Sequence, residues 1–183
     1  MVNSVPSSPA QRLSTVEEVV GSPFPSRHLP GGHLSGSPDH HLVVLAMSRD
    51  FWEDGSVEAV EAAEEEIRGA GDELTTALDN RWGAHGILDP RPWYEAAALR
   101  NEAVAEPFAS LQDAFRELRV WQLSGSERWF GLTSVQHDRE LEIMLVGVVG
   151  RGPVPAPPRS GPVPARQLSP DGWSALPGGL LGG

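Results

Sequence analysis

Three apolar runs lie close together toward the carboxyl end: Leu118 to Leu123, Arg128 to Val135 and Leu141 to Val149. Ser124-Gly125-Ser126-Glu127 separates the first two, and the polar stretch Gln136 to Glu140 separates the second pair. Glycine accepts positive φ and serine bonds nearby backbone, so the first gap suits a tight hairpin. The pattern predicts a three-stranded antiparallel meander. Along a strand, side chains alternate between faces. In the third run Leu141, Ile143, Leu145, Gly147 and Val149 point one way, and Glu142, Met144, Val146 and Val148 the other. In the second, Trp129, Gly131, Thr133 and Val135 oppose Phe130, Leu132 and Ser134. A sheet with one wet face should be polar there, and neither face is. One face is therefore expected to meet helices, and the other to be partly covered by a further segment or a second subunit.

Upstream, His41 to Ser48 is rich in Val and Leu and predicts a fourth strand beside the meander. After a turn holding Phe51 and Trp52, Ser56 is the expected N-cap of a helix running to Trp82, with Gly83 as its C-terminal cap. Val57, Val60, Ala63, Ile67, Ala70, Leu74, Leu78 and Trp82 recur at steps of three and four and form one stripe. Gly69 and Gly71 interrupt good helix formers, which points to a bend or to close packing on the sheet. His85 to Leu88 is a candidate short edge strand. Asp89-Pro90-Arg91-Pro92 predicts the start of a second helix, Trp93 to about Val104, broken at Glu106-Pro107. Phe108 to Phe115 fits a short helix feeding the first meander strand.

The flanks change the picture. Residues 1–40 are dominated by Ser, Pro and Gly, with a brief amphipathic turn at Leu13 to Val20 as their single candidate element. So little apolar surface does not offset chain entropy, so a disordered tail is expected. The natural start could even lie nearer the folded part. Residues 151–183 repeat GPVPA at Gly152 and Gly161 and read as a second disordered, polyproline-like tail. The expectation is one α+β domain over residues 41–150. It has an antiparallel sheet of about four strands, covered on one face by a long acidic helix and a shorter second helix.

The net charge is −11, and eleven carboxylates against Arg68 and Arg81 fall between Asp50 and Trp82. A chain this acidic repels phosphate backbones, so no nucleic-acid partner is expected. No apolar window is long enough to span a membrane and no signal-peptide pattern opens the chain, so no membrane association and a cytoplasmic location are expected. There is no Cys and no Lys. That excludes disulfides, thiolate metal sites, a thiol nucleophile, a Walker A lysine and a Schiff-base lysine. Arg without Lys, with abundant Ala, Gly and Pro, is what a GC-rich genome encodes.

No G-x-S-x-G, H-E-x-x-H or EF-hand loop occurs, and Gly69-Ala70-Gly71 lacks the third glycine of a dinucleotide fingerprint. His28, His33, His40, His41 and His85, with Asp39, lack metal-ligand spacing, so no metal or other cofactor is expected. His137, Asp138 and Glu140 are the catalytic candidates: a carboxylate could orient the imidazole as a general base. Neighbours in a hairpin loop point apart, which argues for a plain polar turn. Trp121, Trp129 and Phe130 are candidate interface residues, since aromatic side chains anchor partners as well as fill cores.

The acidic helix ending in Arg81-Trp82-Gly83, then Leu88-Asp89 followed by Trp93-Tyr94, Trp121, Arg128-Trp129 and Gln136-His137-Asp138-Arg139-Glu140-Leu141 together resemble a set of small uncharacterised actinobacterial proteins. The resemblance spans about residues 41–150 and implies the domain limits, with no activity attached. The functional expectation is a non-catalytic interaction or accessory module, acidic and soluble, with a protein partner or a homodimer. The alternative is a small enzyme built on His137, Asp138 and Glu140.

Overall fold

The computed structural model describes residues 4–111 and 117–158. Its elements, in chain order, are α1 (Pro9–Gly21), β1 (Leu34–Gly36), β2 (His40–Met47), α2 (Val57–Trp82), β3 (Gly86–Leu88), α3 (Arg91–Arg100), a 3₁₀ turn (Ala109–Leu111), β4 (Leu118–Gln122), β5 (Arg128–Val135) and β6 (Met144–Arg151). The sheet has six antiparallel strands in the order β1-β2-β6-β5-β4-β3. The meander is present, and β2 joins it as the expected further strand; its partner is β6. The strand number exceeds the expected four because His85 to Leu88 does supply an edge and because β1, three residues long, pairs with β2. The third meander strand starts at Met144 rather than Leu141. Leu141 is held in the turn by the Gln136 side-chain amide, which donates to its carbonyl at 3.0 Å, and Ile143 bonds Ser48 outside the ladder.

Strand alternation sorts the core into two layers. Leu45, Trp121, Phe130, Leu132, Leu145 and Val149 face α2, whose Ala63, Ile67, Leu74 and Leu78 pack on them. On the other face Leu118, Val120, Trp129, Val146 and Val148 meet Phe108, Leu111, Trp93 and Tyr94. The second helix therefore does not share a face with the first. α3 and the 3₁₀ turn form the cover of the opposite face, with Trp93 stacked on Phe108 at 4.4 Å and the Tyr94 hydroxyl donating to the Leu111 carbonyl at 3.0 Å. α3 also stops at Arg100, short of the expected Val104, because Asn101 takes a left-handed cap at φ 55°.

Close packing explains one of the paired helix glycines. A Cβ at Gly71 would sit 3.3 Å from Leu145 Cδ1, whereas Gly69 meets nothing. In the sheet, a Cβ at Gly150 would lie 2.2 Å from the Trp129 indole, and one at Gly147 3.0 Å from Leu45 and Phe130. These glycines are the space the aromatic rings occupy.

The expectation of a structureless segment over residues 1–40 needs correcting. Ser8 caps α1 by accepting from the Gln11 amide, Pro9 sits at the first helical position, and Val16 and Val19 are buried in the α2-side layer. The arm is tied down beyond its own helix. Arg12 meets Glu73 at 3.4 Å, Arg81 meets Glu17 at 3.0 Å, and the Arg128 guanidinium donates to the carbonyls of Val20 and Ser22 at the helix end. Those contacts are long-range, so local composition undervalued them. At the other end, β6 extends to Arg151 and Val154 packs on the second layer. The rest of the expected tail, residues 159–183, lies outside the described residues, as do residues 112–116 of the expected short helix.

Candidate functional site

The Gln136–Glu140 loop turns β5 back toward β6, and its side chains build the turn. The Asp138 carboxylate accepts from the Glu140 amide at 3.1 Å, the Asp138 carbonyl accepts from Leu141, and the Glu140 carbonyl accepts from the Phe51 amide at 2.9 Å. His137 and Asp138 are exposed and Glu140 is half-buried. None of the three lines the groove beside the loop, although their neighbour Gln136 does.

That groove, about 270 Å³, runs between α2 and the far ends of β5 and β6. Ile67, Leu132, Ile143 and Leu145 form its floor, and Arg68 and Arg119 stand at its rim. Both arginines are already engaged. Arg119 donates to Thr75 Oγ1 at 2.6 Å and to Asp72 at 2.8 Å, and Arg68 pairs with Glu65. With Glu64 and Glu117 also lining it, the groove holds balanced charge and no strong handle for an ion. A second hollow, about 340 Å³, lies between α1 and α2 beside Arg12 and the carboxylates of Glu65, Glu66 and Glu73.

The interface candidates are placed in the core, not at the surface. Trp121 is 2% exposed, Trp129 1% and Phe130 0%. β4 and β5 turn the two tryptophans to opposite faces, where each is enclosed by the helices of its own side. The Trp121 indole N–H, which needs a partner once buried, donates to Asp79 at 3.0 Å. The same carboxylate accepts from the His85 backbone amide, and His85 Nδ1 lies 3.0 Å away. Burial acts to raise the Asp79 pKa, but the bonds from His85 and Trp121 outweigh it and hold the group below the usual carboxylate value. This pair ends α2 and seats a core ring; it lines neither groove.

What reaches the surface instead is an aromatic from another part of the chain. Phe51 and Trp52 are adjacent in the turn before α2, and the turn points them in opposite senses. Phe51 is buried, and its amide is fixed to the Glu140 carbonyl. Trp52 stands 64% exposed. Val57, expected to begin the buried stripe, is 67% exposed, since the stripe meets the core only from Val60 on. The turn between them is fixed. Asp54 accepts from the Ser56 amide at 3.2 Å and from Arg49 at 2.9 Å, and the Ser56 hydroxyl, then Arg49 and the Ser56 amide, push its pKa down to about 2. Around it Asp50, Glu53, Glu58 and Glu61 are all exposed, and among the described residues none of Glu53, Glu58 and Glu61 is held in an ion pair. The sequence signal was available: an aromatic pair before an N-cap can bury only one member if the turn is tight.

Among the described residues no helix is long and apolar enough to cross a membrane, and no three His, Asp or Glu side chains are grouped to hold a metal ion. No protein-family model, no curated protein and no solved structure matches this chain.

Proposed function

We propose that this protein is a non-catalytic interaction module whose docking surface is the Trp52–Val57 end of α2. The observation that carries the reading is an exposed indole on a hydrogen-bonded turn, in a stretch of sequence whose Asp50, Glu53, Glu58 and Glu61 are also exposed. Tryptophan buries a large area with little rotamer loss and dominates binding energies where it anchors an interface. A turn already locked by Phe51 and Asp54 spends little conformational entropy on binding. The carboxylates set the partner's chemistry: a basic protein surface with an apolar cleft that takes the ring. They would steer its approach and make the association weaken with salt. A second copy of this chain would bring the same negative charge, so a partner of opposite charge fits better than a homodimer through this surface. The positions of His137 and Asp138, exposed and outside the groove, give the enzymatic alternative no support.

The test is comparative capture. The full chain, immobilised at low salt, should retain a basic protein from its native lysate. Trp52→Ala and Glu58→Arg variants with unchanged circular dichroism should lose it. A bound protein retained equally by all three chains refutes the assignment of the surface.

A further inference from the structure

The N-terminal arm is clamped at one aromatic ring. Phe24, in the connection between α1 and β1, stacks on the His41 imidazole with centroids 5.1 Å apart and planes 22° apart. The guanidinium carbons of Arg128 on β5 and Arg151 on β6 lie 4.4 and 4.9 Å from the same ring's centroid. His41, on β2, is only 5% exposed. Its Nε2 is 3.2 Å from the Pro23 carbonyl, so the neutral ring donates from Nε2 to the arm. Its Nδ1 then carries the lone pair and faces Gly36, where even a Cβ would come within 2.9 Å. A proton arriving there has little room for an acceptor.

The surrounding charges make that proton worse. Arg128 is fixed by the Val20 and Ser22 carbonyls, and Arg151 by the Pro38 carbonyl, with Asp39 at 3.7 Å. Arg128, held by two part-buried bonds, cannot easily leave, whereas Arg151 is more than half exposed. On the opposite face of β2, His40 is also buried, with Nδ1 2.8 Å from Ser37 Oγ and Nε2 4.0 Å from Glu106; His28 and Asp39 act on it from the arm and the turn.

We infer that residues 9–36 form an acid-releasable strap: a proton on His41 places a third cation against Phe24, beside Arg128 and Arg151, and detaches the arm from the sheet. Detachment would uncover the α2-side layer now sealed by Val16 and Val19. Burial lowers the pKa of His41, and Arg128 and His40 push the same way against the Pro23 bond, so release begins below the ordinary value of 6.5. The proposal concerns the arm alone and is independent of the Trp52 surface.

The chain has no cysteine, so one introduced thiol reports without background. Val16→Cys reports on the arm, and Val148→Cys, buried in the other layer, on the rest of the domain. Each is labelled with 4,4′-dithiodipyridine, and rates are divided by that of a free thiol at the same pH. Between pH 7.5 and 5 the normalised rate at position 16 should rise at least tenfold more than that at position 148, which reads only the general loss of stability. His41→Phe, which keeps the stack but cannot take a proton, should abolish the rise; His41→Gln serves as the second uncharged variant if the first does not fold. A flat response at position 16, parallel rises at both positions, or a rise that survives removal of His41 would each overturn the strap.

Discussion

Replacing Gly150 with alanine tests the packing of the sheet at one atom. A Cβ there would lie 2.2, 2.3 and 2.5 Å from Cε2, Nε1 and Cζ2 of Trp129. Ordinary carbon contacts sit near 3.5–4 Å, so the ring must move by roughly 1 Å or more. It has little room: Trp129 is 1% exposed and packed in one cluster with Leu118, Val146 and Val148. Overpacking of this kind costs about 1–3 kcal/mol, and the threefold crowding places Gly150→Ala toward the upper end. Two companions rank the effect. Gly147→Ala meets Leu45 and Phe130 at 3.0 Å and should cost less, about 1 kcal/mol. Gly69→Ala meets nothing, lies in an exposed helix interior, and should stabilise by about 0.5–1 kcal/mol. Urea unfolding followed by circular dichroism reads all three as midpoint shifts at constant slope. If Gly150→Ala unfolds with the wild type, or the order of the three is inverted, Trp129 does not lie across Gly150 and the register of β5 on β6 is wrong.

Two further outcomes follow from the arm. Arg128→Ala removes charge-assisted bonds to two helix-end carbonyls together with the contact on Phe24, and should cost about 2 kcal/mol, with amide exchange accelerated first over residues 9–21. Stability should also depend on pH through the buried histidines. Burial holds His40 and His41 below their ordinary value of 6.5, so between the folded and unfolded values the unfolded chain binds more protons. Urea midpoints should therefore be highest above pH 6.5 and fall as pH drops through it, and His40→Gln with His41→Phe should flatten that decline. A midpoint that rises on acidification to pH 5.5 would contradict the burial of both rings.

Much of the fold is legible along the chain because its main elements carry their own signals. α2 runs from Val57 to Trp82 between a Ser cap and a Gly cap, and the 3.6-residue stripe identifies its buried side from Val60 on. β5 spans the same Arg128 to Val135 that alternation and turn chemistry mark out. The arm is hard to read from sequence for a physical reason. Ser8-Pro9-Ala10-Gln11 has the spacing of a capping box, and Leu13, Val16, Val19 and Val20 have helical spacing, but the helix is held by Arg128, Glu73 and Arg81, all distant in sequence. Surrounding Ser, Pro and Gly outweighed four apolar residues. Nothing local says which face a helix covers, and α3 lies on the face opposite the expected one. The tryptophans show the same limit. Alternation sends Trp121 and Trp129 to opposite faces, yet burial of both depends on α2, α3 and the 3₁₀ turn closing over them. Trp52 looked like a turn residue, and its exposure emerges only once Phe51 is seen to occupy the core.

The most direct test of the functional account is hydrogen–deuterium exchange on the full chain, with and without the protein it captures. Protection on binding should be confined to residues 50–61, strongest at Trp52 to Val57, and should disappear on raising the salt concentration. Protection centred on the Gln136–Glu140 loop or on the Arg119 groove, with residues 50–61 unchanged, would contradict it.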